Sequence, residues 1–158
     1  MNEVEGRAAL LKSAESWLHT PYAESGALRG AGANCATLMW GIARDAGVIP
    51  SDTPMPRWYS PQFHAHNREE RLIKSVMGCG CVEITESQVK PGDVIAYLTG
   101  QSHGHLAMVI EYPRKIIQTH KATGAQYGHA NEGRLAGCKK KFFSLWKPPE
   151  NGESAENV

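Results

Sequence analysis

The 158-residue chain has no apolar run of the ~18 residues that a membrane-spanning helix needs, so no membrane span is expected. It has no excess of one charge. Lys plus Arg is 17 and Asp plus Glu is 16, a net charge of +1. Tight electrostatic binding of nucleic acid is therefore not expected. There is neither a C-x-x-C nor an H-x-x-x-H pair, so no zinc pattern stands out. The opening stretch MNEVEGRAALLKSAESWL carries Glu3 and Glu5 and lacks the basic and apolar regions of a secretory signal. Synthesis in the cytoplasm with reduced thiols is the resulting expectation.

What is present suits one folded domain. Apolar residues make up 41% and charged residues 21%, which argues against wholesale disorder. A domain over 1–146 is expected, with a disordered tail over 147–158 that is rich in proline and glutamate. Val4, Ala8, Leu11, Ala14 and Leu18 form a helical stripe, with Leu10 and Trp17 beside it. A glycine-rich loop runs from Thr20 to Ala33. Asn34 is a good N-cap and Gly47 a good stop for a second, mostly buried helix. Four prolines make 50–61 an extended connection. A short helix is expected over Arg68 to Met77. Strands are expected at 82–84, 93–98, 105–112, 116–120 and 141–146. Helices first and strands later predict an α+β domain with an antiparallel sheet.

Four cysteines are present: Cys35, Cys79, Cys81 and Cys138. Cys35 stands at the expected start of the second helix, where free N–H groups and positive partial charge favour a thiolate. A small core thiol is the plain alternative. A thiolate nucleophile needs a base. His105 opens the strand HLAMVIE, sharing a face with Ala107 and Val109, from which an imidazole can project toward the Cys35 helix. His103 is the rival base. His120 ends the next strand and can lie across a hairpin from His105. Cys79 and Cys81, with or without His64 and His66, match no trusted metal spacing and could instead form a disulfide. Lys139, Lys140, Lys141 and Arg134 make a small basic patch, read as a solvated face or a contact for an acidic polymer.

Taken in order, these segments resemble the NlpC-type cell-wall cysteine peptidases, a compact papain-like family. The resemblance covers roughly Ala14 to Trp146. It rests on SWLHTPYAESGALRGAGANCATLMWGIARDAGV, PGDVIAYLTG, HLAMVIE and IIQTH. The Asn-Cys-Ala-Thr-Leu run, the segment PRWYSPQFHAHNREER and the short last strand resemble the branch found in phage tails. The resemblance implies Cys35 as nucleophile, His105 as general base and His120 as the group that orients it. It implies that Tyr22 and the Cys35 N–H meet the oxyanion. The implied substrate is a peptidoglycan stem peptide, cut between D-γ-glutamate and a diamino acid, with no cofactor and no metal. Phage tail proteins are the implied partners, and the bacterial wall the implied place of action. Many members carry Asp-Cys-Ser where this chain has Asn34-Cys35-Ala36. A free substrate amine is therefore expected to be held less well here. The alternatives are an amidase or acyltransferase of the same fold, or a structural tail-tip component.

Overall fold

The computed structural model describes residues 1–150. The first helix, α1, spans Glu3–Trp17 and starts with a capping box between Asn2 and Glu5. Its buried face is Gly6, Leu10, Ser13, Ala14 and Trp17, while Val4 is 80% exposed. The face is thus turned from the expected stripe toward residues that admit close neighbours. A Cβ at Gly6 would meet the Trp146 ring at 2.5 Å. Arg7, on the edge of that face, donates to Asp93 at 2.7 Å and to the Pro91 carbonyl at 2.9 Å. This ion pair ties α1 to the entry of the central sheet.

After the short strands β1 (Ala27–Leu28) and β2 (Gly32–Ala33) comes α2, Cys35–Ala46. It ends at Gly47 in the left-handed conformation, as its sequence predicts. Helices α1 and α2 touch where Trp17 lies against Gly41, and a Cβ there would sit 2.5 Å from the indole. Residues 53–60 run extended as expected, and helix α3 (Pro61–His66), which was not expected, follows with Ser60 as its cap. Helix α4 covers Arg71–Gly78, starting later than expected.

The strands that follow are β3 (Val82–Ile84), β4 (Val94–Leu98), β5 (His103–Glu111), β6 (Lys115–His120), β7 (Gly124–Gly128) and β8 (Lys140–Ser144). They form one antiparallel sheet in the order β3-β8-β4-β5-β6-β7. The α+β architecture expected from the sequence is therefore present. Strand β7 was not expected. It exists through pairing with β6 and through bonds of Ala125 with His19 and Thr20.

The sheet has two covered faces. Leu106, Met108, Ile117 and Phe143 pack with the helices. Ala107, Val109, Ile116 and Phe142 form a second core with Ala130 and Leu135. No described helix is long and apolar enough to cross a membrane. Of the expected tail, residues 151–158 lie outside the described residues.

Candidate active site

Asn34 builds the position of Cys35. Its Oδ1 accepts from the Ala36 N–H at 3.0 Å and the Thr37 N–H at 2.9 Å, and its Nδ2 donates to the Glu24 carbonyl at 3.2 Å. The Thr37 hydroxyl closes the box by accepting from the Asn34 N–H. All of this side chain's polar atoms are engaged with backbone, and the residue is buried. Ala36 is buried as well. Its methyl lines an apolar cavity with Met39, Leu106, Cys79 and Cys81. Replacing a cap of this kind costs about 1 kcal/mol, up to ~2. Asn34→Ala is expected to lower stability by that amount and to lower any Cys35-dependent activity with it. A chemical denaturation curve checks the first and a turnover assay the second.

Cys35 is half-buried and held at the first turn of α2. Burial pushes its thiol up, against the pull of backbone N–H groups of Leu106, Ala36 and Cys35 itself. Desolvation thus wins over the helix terminus, and the resting group is a protonated thiol. The Leu106 N–H that faces it belongs to β5, one residue past His105.

His105 lies on the sheet face opposite the helices. It pairs in register with Tyr97, a member of the second core, and the two rings are 5.7 Å apart. The expected projection toward the α2 side is therefore reversed. Pairing of β5 with β6 begins only at Met108 with Ile117. Residues 103–107 and 118–120 consequently face each other without a ladder. Among the described residues no hydrogen bond joins the Cys35 and His105 side chains.

Three groups surround the imidazole. Gln118 Oε1 is 2.7 Å from Nε2. An amide oxygen only accepts, so Nε2 carries the proton and Nδ1 keeps its lone pair. The His120 ring stacks on it at 5.4 Å with planes 8° apart. Tyr97 supplies the third side. The structure thus brings His105 and His120 together, but the polar contact comes from Gln118. Sequence reading missed Gln118. Its signal was a polar residue in IIQTH at even spacing from His120.

Burial drives the His105 imidazole down to about 4, with His120 and the Arg134 charge adding to the fall and Gln118 opposing it. His120 and the buried His64 are also lowered, chiefly by burial. An unfolded histidine binds its proton near 6.5, so between those values the unfolded chain holds more protons. Stability is complete above about 6.5 and declines as pH falls toward about 4. Urea midpoints are expected to drop between about pH 7 and about pH 5, less steeply in His105→Gln.

Tyr22 is anchored beside the Cys35 loop. It forms a parallel bridge with Ala33, and its hydroxyl accepts from the Trp58 indole at 3.3 Å. Lys121, next to His120, lies 5.9 Å over its ring. Trp58 is a further residue that sequence reading passed over.

His103 is set apart from this group. It is buried against Glu70, which accepts from its Nδ1 and its N–H, both at 3.0 Å. His64 is held by the Ser102 hydroxyl at 2.9 Å. Cys79 and Cys81 are free thiols on the cavity wall, with Cys81 pushed up to about 12 by burial. Among the described residues no three His, Cys, Asp or Glu side chains converge as a metal site.

Protein-family models and curated proteins give no sequence match to this chain. Solved structures do match. An NlpC/P60 family protein from Bacillus cereus superposes with a TM-score of 0.56 at 19% identity over 85% of this chain. The fold is of the NlpC/P60 type. The NlpC/p60 domain of the peptidoglycan hydrolase SagA gives 0.55 at 14% identity over 85% of this chain. The peptidoglycan hydrolase RipB from Mycobacterium tuberculosis gives 0.54 at 13% over 94%. The chain spans 39% of the Bacillus cereus protein, 96% of the SagA domain and 70% of RipB.

Proposed function

We propose that this chain is a cysteine peptidase that hydrolyses peptidoglycan stem peptides at the bond between D-γ-glutamate and the diamino acid. One observation carries the reading. The N–H that faces the Cys35 sulfur belongs to the residue after His105, whose ring is locked by Gln118. The likeness to solved peptidoglycan hydrolases supports the substrate class. The specific bond, and action at the wall as a module carried by phage tail proteins, rest on the sequence resemblance alone.

The chemistry follows from the protonation states. Thiol and imidazole both start neutral. His105 Nδ1 takes the thiol proton as sulfur attacks the amide carbon, so charge separates only when substrate is in place. The tetrahedral oxyanion is met by the Cys35 N–H and the Tyr22 hydroxyl. Trp58 donates to Tyr22, which leaves the Tyr22 proton free for the oxyanion. The C–N bond then breaks, and the leaving amine takes the proton from His105. Water attacks the thioester, again through Nδ1, and releases the carboxylic acid and the thiol. His120 acts by stacking on the ring.

Digestion of purified sacculi, read by mass spectrometry, tests this. New fragments ending in D-glutamate are expected. Fragments cut at another amide would move the reading to an amidase, and transfer to an added amine would make it an acyltransferase. Intact sacculi and intact stem peptides would sink it.

A further inference from the structure

His103 and His105 stand two residues apart on one strand yet face opposite sides of the sheet. The register explains it. Tyr97 pairs with His105 and Leu98 with His103, so Gly104 is an extra residue, a β-bulge. Partners across a ladder share a face. His103 therefore turns to the helix side with Leu98, and His105 stays on the other with Tyr97. The bulge needs glycine. A Cβ there would collide with the Thr99 hydroxyl and lie 2.8 Å from the His64 ring. Helix α3 holds the loop before it. The His64 carbonyl accepts from the Gln101 N–H at 2.8 Å, and His64 Nδ1 meets the Ser102 hydroxyl at 2.9 Å. Glu70 holds the residue between that loop and the bulge. One carboxylate oxygen accepts from the His103 N–H and the other from its Nδ1–H, both at 3.0 Å. Glu70 occupies the N-cap position of α4 but makes no capping bond with its side chain. The cations nearby go to its neighbour Glu69, with Arg71 at 3.0 Å and Lys74 at 3.4 Å.

Strand β5 has few other restraints at this point. Its ladder with β6 stops at the Met108–Ile117 pair, so residues 103–107 are paired along β4 alone. We propose that Glu70 is a positioning residue for the reaction: by fixing His103 it fixes the bulge at Gly104, and with it the direction in which His105 leaves the strand. This rests on the roles given above to Cys35 and His105. No described hydrogen bond or ion pair joins Glu70 to either of them. Glu70 sets the backbone from which the imidazole projects, and Gln118 sets the ring at its far end. The same segment reaches the other wall of the site, where Trp58 donates to the Tyr22 hydroxyl at 3.3 Å. Residues 58–70 thus tie the base to the implied oxyanion donor. Without the carboxylate, the N–H and Nδ1–H of the buried His103 lose their acceptors, and the strand shifts to find others. A displacement of about 1 Å at the imidazole is enough for a roughly 10²-fold loss.

The test uses the full chain and the tripeptide L-alanyl-γ-D-glutamyl-diaminopimelate. Glu70→Ala is expected to lower kcat by roughly 10- to 100-fold, with KM within about 3-fold of wild type. Glu70→Gln keeps an acceptor for the His103 N–H and is expected to recover most of the loss. Two controls separate positioning from stability. Val76→Ala trims a buried side chain at the far end of α4 from Glu70, and is expected to lower the melting temperature while leaving kcat within about 2-fold. His103→Asn keeps a side-chain N–H for Glu70 and is expected to stay within a few-fold of wild type. A loss in Val76→Ala that matches Glu70→Ala, or glutamine no better than alanine, overturns the proposal. So does a collapse in His103→Asn, which would make His103 itself the base. A second readout needs no turnover. In histidine-ring NMR the His105 Nε2–H signal, held by Gln118, is expected to shift or broaden in Glu70→Ala and to return in Glu70→Gln. A signal unmoved by Glu70→Ala overturns the proposal whether or not the tripeptide is cut. An uncut tripeptide with a signal that moves as expected would sink only the hydrolase reading.

Discussion

Cys35→Ser is expected to lose stem-peptide cleavage by roughly 10³-fold or more while keeping the wild-type fold. The loss follows from the base. An imidazole held down to about 4 is a weak proton acceptor, and a thiol is within its reach only because sulfur is acidic and strongly nucleophilic. A serine hydroxyl at the same site is far less acidic, so the same imidazole cannot activate it. The fold is retained because the thiol is not a cap. Asn34 holds the helix start, and hydroxyl for thiol is a small change at a half-buried position. The melting temperature is expected within about 2 °C of wild type, which corresponds to well under 1 kcal/mol. Sacculus digestion and thermal unfolding on the same sample check both parts. A serine variant that cuts at wild-type rate would remove Cys35 from the chemistry.

The bounds of α2 were legible because each is set locally. Asn34 accepts the first free N–H groups, and Gly47 takes the left-handed turn. The edges of β4 and β6 were legible for a similar reason, since apolar strand residues end at glycine, proline or charge. The orientation of α1 was not. Its buried face depends on the Trp146 ring over Gly6 and on the Arg7–Asp93 pair, both far away in sequence. Strand β7 carries two glycines and is made by its neighbours. Gly124, at φ +69, lets the chain pass so close to Thr20 that a Cβ would lie 2.5 Å from its carbonyl.

The candidate site divides in the same way. Residue types and alternation pointed to Cys35, His105 and His120, and the structure places the two histidines ring on ring. Alternation also gave the correct face-mates of His105. It could not say which face the helices cover, because both faces of this sheet are buried and both read as apolar. Nor could it say that β5 and β6 part company before His105. The ladder between them stops at the Met108–Ile117 pair, and no residue pattern announces that end.

Gln118→Ala is expected to cost more activity than His120→Ala, by roughly 10²-fold against a few-fold. Gln118 does two things for His105. It fixes the ring with the proton on Nε2 at 2.7 Å, and it favours the charged form of an otherwise desolvated base. Alanine there leaves a buried N–H without a partner, costs about 1–3 kcal/mol, and frees the ring to turn. His120 contributes a stacked face and a mild repulsion, so its removal loosens the ring yet makes His105 slightly more basic. The two variants should therefore move the acid limb of the kcat/KM profile in opposite directions. Gln118→Ala shifts it down, because the support for imidazolium is gone. His120→Ala shifts it up. Gln118→Glu shifts it up further, since a carboxylate at that distance stabilises the protonated ring. A pH profile on one tripeptide, with all three variants, reads these signs directly. If His120→Ala is the more damaging and its limb moves down, then the ring turns on substrate binding and His120 takes over the Nε2 proton.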